Sequence, residues 1–327
     1  MRYIGLSDIP IPASVLGFGC SALLGRSGRK ESWKALTAAY DSGITFYDTA
    51  RSYGYGQSES LLGEFFRGKR DRVIISTKFG ILPVSQKWWI RAAKPVVRKV
   101  ISAAPAARKL IRKRVESQFE QGRFSADVLR SSLEKSLREL NTEYVDFLFA
   151  HSAAETILEN HDVLAELEKA ITSGKVRVAG ISSTARVAGE ILKTCPGFLK
   201  AFQFPVNLFD GLSTGRLASM NNKPVLIANH PFGGISRAAQ NRTILRAILS
   251  AESSPVNLRS KLRDIDDDHV LAEIVLNSIL KGTEVDVVIP AMMQQKHVQS
   301  NVAAIRSSRF TVAELKWIQA HWPVSAV

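Results

Sequence analysis

Four side chains of this sequence could together move a proton to or from a carbonyl oxygen. Asp48 closes the short apolar run Thr45-Phe-Tyr-Asp48, and Tyr53 follows in the Gly-rich turn Tyr53-Gly-Tyr-Gly56. Lys78 ends the next apolar run, and His151 ends the one after that. Reducing a carbonyl needs a hydride donor and an acid that protonates the oxygen as negative charge grows on it. A phenol can work in both directions, but its ordinary pKa of about 10 is high for the task. A nearby ammonium favours the phenolate and lowers that value, and Lys78 is the obvious ammonium. A buried ammonium needs a counter-ion, which Asp48 can supply. His151 could donate a hydrogen bond to the substrate oxygen and help relay its proton.

Each of the four also has a plainer reading. Asp48 alone could cap a turn, Tyr53 could be a surface aromatic, and Lys78 could reach solvent from a strand end. An isolated histidine is more often a hydrogen-bonded core residue than a catalytic one. Their joint placement at strand ends sets the four apart.

The elements that position them alternate along the chain. Strand-like runs fall at Val15–Cys20, Thr45–Asp48, Val73–Lys78, Tyr144–His151, Val176–Ser182, Ala201–Phe204, Val225–Ala228 and Val285–Ile289. Several are nearly continuous in Val, Ile, Leu and Phe, as buried parallel strands are. Helix-period stretches lie between them, at 31–40, 58–66, 157–173, 185–194 and 270–281. The clearest is Ser125–Leu140, where Val128, Leu129, Leu133, Leu137 and Leu140 recur at helical steps and Ser125 is an N-cap. Eight alternations predict an α/β fold of the (β/α)8 TIM-barrel type, as a single domain over 1–327. In such barrels the active site forms at the C-terminal strand ends, where Asp48, Lys78 and His151 fall.

Two insertions interrupt the pattern: 84–124 after the third strand, and 232–268, expected as a long loop after the seventh. The chain carries a net charge of +14, and residues 84–115 hold ten Lys or Arg with no Asp or Glu. The charge therefore marks one surface element and not the whole fold. Its basic and apolar residues, among them Trp88 and Trp89, admit three readings. One is a solvated lid packed on the barrel. Another is a lid that attracts an anionic substrate. The last is peripheral contact with an anionic surface. No recognition module accompanies the charge, so nucleic acid is not an expected partner.

The remaining composition is that of an ordinary globular chain. The longest apolar runs are far short of the roughly 20 residues a membrane helix needs. The two cysteines, Cys20 and Cys195, give no disulfide framework, and a cytoplasmic location is the expectation. No His, Cys, Asp and Glu cluster has metal-site spacing, so no metal is expected.

Four segments carry a family resemblance: Phe46–Gly63, Ser76-Thr-Lys-Phe-Gly80, Tyr144–His151 and Gly174–Ser183. In that order, one motif to a strand, they resemble the aldo-keto reductase family, including its sugar and aldose dehydrogenase members. The resemblance runs from Tyr3 to about Trp317 outside the insertions. It implies an NAD(P)-dependent oxidoreductase with Asp48, Tyr53, Lys78 and His151 as its catalytic tetrad. The substrate would be a small aldehyde, ketone or sugar. The implied cofactor is NADP, with NAD as the alternative, bound across the barrel mouth without a Rossmann fold. Indeed no Gly-x-Gly-x-x-Gly follows a strand in a βαβ setting.

The resemblance also assigns cofactor contacts. Gly19 would lie along the cofactor, and Ser182, Ser183 and Gln203 would meet the carboxamide. Asn229, Pro231, Phe232 and Gly233 form the strand-seven segment, with Asn229 where a stacking aromatic often stands. Lys296, His297 and Asn301 form the adenosine end, with His297 where many members have a phosphate-gripping Arg. A different reading keeps the barrel as a cofactor-binding regulatory or redox-sensing protein with little turnover.

Overall fold

Eight Val-, Ile- and Phe-rich runs become the staves of a parallel barrel in the computed structural model. It describes residues 1–24, 28–83, 119–120, 124–208, 223–251, 253–261 and 268–323. The strands are β1 (Phe18–Gly19), β2 (Phe46–Asp48), β3 (Ile74–Phe79) and β4 (Val145–His151), followed by β5 (Val176–Ser182), β6 (Leu199–Pro205), β7 (Val225–Asn229) and β8 (Val287–Ile289). Each pairs with the next in chain order. The seam closes where Gly17 N donates to Val288 O at 2.9 Å and Gly19 N to Pro290 O at 3.0 Å. A Cβ on Gly19 would stand 2.9 Å from that Pro290 oxygen, so the closure itself calls for glycine there.

The two-residue period of the strands sorts their side chains. Phe46, Ile74, Phe147, Phe149, Val178, Ala201 and Ile227 fill the interior. Ile75, Leu148, Ile181, Phe202 and Leu226 face outward onto the helices. Continuing the inward set toward the C-terminal ends reaches Asp48, Lys78, His151, Ser182, Gln203 and Asn229. The interior is thus apolar below and polar at the top. A short hairpin, Tyr3–Ile4 with Ala13–Ser14, adds Leu6 and Ile9 to the interior cluster at the other end.

The described helices are α1 (Arg29–Asp41), α2 (Ser58–Phe65), α3 (Ala126–Leu140), α4 (His161–Thr172) and α5 (Ala185–Leu192), then α6 (Ile235–Ser250), α7 (Val256–Lys261), α8 (Asp268–Gly282), α9 (Gln295–Arg306) and α10 (Val312–Ala320). α3 follows the expected pattern. Ser125 Oγ accepts from Val128 N, Asn141 ends the helix in the left-handed region, and Leu129, Leu133, Leu137 and Leu140 are buried. Each of those leucines contributes about 1.5–3 kcal/mol when fully buried.

The segment 232–268 corrects an expectation. Where it is described it is mainly helical, as α6 and α7, and not a long loop. Leu245, Ile248, Leu249 and Leu258 are buried against the core, and that burial holds the segment in place. The basic lid expected at 84–124 lies outside the described residues, apart from its edge. There Leu82–Pro83 pairs antiparallel with Phe119–Glu120.

Candidate active site

β2, β3 and β4 bring the four chemistry-bearing side chains to one end of the barrel. Lys78 Nζ donates to Asp48 Oδ1 at 2.6 Å and to the Thr49 carbonyl at 2.8 Å. The same carboxylate oxygen accepts from Ser76 Oγ at 2.7 Å and from Gln203 Nε2 at 2.9 Å. Ser182 Oγ donates to Gln203 Oε1 at 2.8 Å, so the network runs unbroken from β2 to β6. Lys78 and Asp48 are buried, and the pair is therefore a dry one. Lys78 Nζ lies 4.9 Å from the centre of the Tyr53 ring, and that ring meets His151 edge-on with centroids 6.0 Å apart.

Backbone conformation and a second buried pair hold Tyr53. It opens a tight turn, Tyr53–Tyr55, in which Gly54 and the following Gly56 have φ of 59° and 79°. A Cβ on Gly54 would crowd the Leu23 carbonyl at 3.1 Å, and the positive φ itself favours glycine there. Beside the turn, Arg51 pairs with Glu59 of α2, and Glu59 also accepts from Thr77 Oγ1 at 2.7 Å. Both charged side chains are buried. This support gave no recognisable signal in the sequence, because Arg51 and Glu59 read there as ordinary loop and first-turn residues.

The electrostatics set each protonation state. Burial is the largest influence on Lys78 and acts downward, but Asp48 and Tyr53 outweigh it and the ammonium is held above its ordinary pKa. The Tyr53 phenol is pushed above its ordinary value, chiefly by burial, while Lys78 pulls it down. The expectation that Lys78 brings this phenol below its usual pKa is thus right in sign for Lys78 but not in sum. His151 is pushed down to about 3, first by burial and then by Lys78, so it is neutral at physiological pH. His151 Nδ1 is buried without a hydrogen-bond partner among the described residues. A proton there would be an orphaned buried donor, so the favoured tautomer carries it on Nε2. Cys20 is fully buried and its thiol is pushed well above its usual range, mainly by burial, which fits a packing role.

The residues assigned to the cofactor divide into groups. Ser182 and Gln203 belong to the Asp48 network, and Ser183 Oγ donates to the Ala153 carbonyl at 2.7 Å. Gly19 is part of the barrel seam. Asn229 Oδ1 lies 2.9 Å from His230 Nδ1, and Gly233 N closes a turn onto the His230 carbonyl at 2.8 Å. Pro231, Phe232, His297 and Asn301 line a common cavity of about 230 Å³. Lys296 is exposed and is not among its walls. Two further lining residues, Arg242 and Ser300, were not anticipated from the sequence. A larger open groove of about 630 Å³, lined by Glu155, Leu158, Arg186 and Lys193 among others, includes none of these groups. No group of three metal-binding side chains occurs among the described residues. No helix among them is long and apolar enough to cross a membrane.

An eight-stranded barrel with this end constellation also has a counterpart among known proteins, since residues 15–323 match the Aldo/keto reductase family. The chain belongs to the aldo/keto reductase family. An aldo-keto reductase of Bacillus subtilis is 30% identical over 218 residues, covering 64% of this chain and 55% of its own length. The chain thus spans about half of that relative. The L-glyceraldehyde 3-phosphate reductase of Escherichia coli is 28% identical over 354 residues, covering 98% of this chain and 91% of its own. Among solved structures, a holo aldo-keto reductase of Bacillus halodurans superposes with a TM-score of 0.70 at 20% identity, covering 100% of this chain and 98% of its own. An aldo/keto reductase of Klebsiella pneumoniae, solved with NADP and acetate, gives 0.65 at 21%, covering 97% and 94%. At those identities the superpositions speak to the fold alone.

Proposed function

We propose that this aldo/keto reductase is an NADP-dependent oxidoreductase acting at the carbonyl or alcohol carbon of a small aldehyde, ketone or sugar. One observation carries the reading. A dry ammonium–carboxylate pair adjoins a phenol and a neutral imidazole at the mouth of the barrel. A structural role would need only the pair.

The chain's residues fit the cofactor. Asn301 is only 6% exposed and lines the cavity, and its side-chain amide hydrogen-bonds to no described residue. That amide is therefore open to a bound base. Ser182, Ser183 and Gln203 would hold the carboxamide end, and the β7 turn from Asn229 to Gly233, with Gly19 across the seam, would line the path between. When bound, the nicotinamide supplies or accepts the hydride.

The protein's own part is proton management. Tyr53, held neutral by burial, donates its proton to the substrate oxygen as negative charge develops there. Lys78 stabilises the phenolate left behind, because its positive charge lies against the ring. Asp48 fixes Lys78 and keeps it charged. His151 donates from Nε2 to the same oxygen and orients it. Alcohol oxidation runs these roles in reverse. The Escherichia coli relative is named for a small phosphorylated aldehyde, which makes such aldehydes a natural first screen alongside unmodified aldehydes and aldoses.

The test is a fluorescence titration with NADPH and NADH, followed by turnover with simple aldehydes and aldoses. Tyr53→Phe should lower turnover by about 10²–10⁴-fold and leave NADPH affinity unchanged. Near-normal turnover in that variant would remove Tyr53 from its role. Failure of the wild-type protein to bind either dinucleotide would overturn the cofactor reading and leave the regulatory one.

A further inference from the structure

We infer that Thr77 and Glu59 are positioning residues for the reaction, and that with Arg51 they fix the Tyr53 turn against Lys78. The inference rests on the role proposed above for Tyr53. It adds the groups, away from the reacting atoms, on which that role depends.

The turn does not hold itself. Gly54, Tyr55 and Gly56 follow one another in the left-handed region, with φ of 59°, 58° and 79°. For a tyrosine that backbone is strained, and such strain persists only where the surroundings over-determine it. The helix that follows offers no cap, since Gln57 at the start of α2 makes no side-chain capping bond. Two side-chain ties join the chain before Tyr53 to the chain after it instead. Thr49 Oγ1 donates to Ser58 Oγ at 3.0 Å, and Arg51 pairs with Glu59. All four residues are buried.

A third contact carries this clasp to the lysine strand. Arg51 takes Glu59 Oε2, and Glu59 Oε1 accepts from Thr77 Oγ1 at 2.7 Å. Thr77 directly precedes Lys78 in β3, and Lys78 Nζ donates back to the Thr49 carbonyl at 2.8 Å. Thr77, Glu59, Arg51, Thr49 and Lys78 thus close a circuit around the base of the turn. By the two-residue strand period Thr77 faces the helices while Lys78 faces the interior. Neither Thr77 nor Glu59 is a reacting group, so their effect on turnover passes through the placement of Tyr53 and Lys78. A displacement of about 1 Å can cost about 10²-fold in rate.

The test is a double-mutant cycle on NADPH oxidation with glyceraldehyde, glucose and propanal. Thr77→Val keeps the branched shape and removes the hydroxyl. It should lower kcat by about 10–100-fold, with KM and the NADPH affinity read by fluorescence unchanged. Thr77→Ser restores the hydroxyl and should recover most of the loss. On a Tyr53→Phe background Thr77→Val should change nothing further, because groups that act as one unit are not additive. The same fold-loss on both backgrounds would overturn the inference, since Thr77 would then act without Tyr53. Unchanged kcat in Thr77→Val with a lower urea midpoint would also overturn it, leaving the clasp a purely structural role. Near-normal turnover in Tyr53→Phe alone would remove the role of Tyr53 and this inference with it. No turnover of any of the three substrates by wild type would remove the functional reading as a whole.

Discussion

Asp48 and Asp146 are both buried carboxylates that gather cations, yet they lie toward opposite ends of the barrel and do different things. Asp146, near the start of β4, accepts from Arg70 Nη2 at 2.7 Å, Arg177 Nη1 at 2.5 Å and the Ile75 amide at 2.8 Å. The two guanidiniums also pack on the ring of Tyr144, at 4.2 and 4.0 Å from its centre. At that end each cation has both a carboxylate and an aromatic face, and the nearby tyrosine contributes its ring. At the Asp48 end there is one cation for the carboxylate, with a phenol and an imidazole beside it, and the imidazole Nδ1 has no partner among the described residues. The comparison teaches that a buried ion pair does not by itself identify a site. A phenol and a neutral imidazole beside the pair are what do.

Lys78→Met should give the largest effect, because it breaks the pair and disarms the phenol together. The Lys78 and Asp48 side chains are 0% and 5% exposed, so Asp48 would be left charged and dry. The expected stability loss is about 3–5 kcal/mol, read from urea unfolding, with turnover near background. The double variant Asp48→Asn, Lys78→Met removes both charges and should recover much of the stability but no activity. A single variant that keeps turnover would end the distinction between the two ends.

Asp146→Asn should cost less and in one currency only. The Arg70 and Arg177 side chains are 14% and 28% exposed, so water reaches them when the carboxylate charge is lost. A loss of about 1–3 kcal/mol is expected, with turnover per folded molecule unchanged. If turnover fell as far as in Lys78→Met, the lower network would have to be coupled to the chemistry.

Much of the upper end was legible because strand period and strand ends are local signals. Asp48, Lys78 and His151 each close an apolar run, and the barrel places such positions at one rim. The seam that makes Gly19 necessary was not legible, since it depends on Pro290, far away in sequence. Nor was Arg242. Its helix begins after Gly233-Gly234 with no Ser, Thr, Asp or Asn cap, so the segment read as loop, and only packing of Leu245, Ile248 and Leu249 makes it a helix. The net upward shift at Tyr53 was hidden for a related reason. Spacing reveals a nearby lysine, but burial of the hydroxyl is a property of the assembled rim.

His151 offers the finest test of that difference, since its imidazole is buried without charge and its Nδ1 has no partner among the described residues. Its pKa falls from 6.5 to about 3 on folding. Below pH 6.5 the unfolded chain therefore binds a proton that the folded protein refuses. Stability contributed by this group is full above pH 6.5 and declines as pH falls toward about 3. Between pH 7.0 and 5.5 the loss should be about 1 kcal/mol. Urea unfolding of wild type and His151→Gln at both pH values isolates it, because glutamine does not titrate. Wild type should lose about 1 kcal/mol more than the variant over that interval, and equal losses would show that the folded protein accepts the proton. The same neutrality predicts that protonation of His151 puts no limb in the pH–rate profile near 6.5. Such a limb, absent from His151→Gln, would mean that the imidazole titrates in the working enzyme and that its Nδ1 has found a partner there.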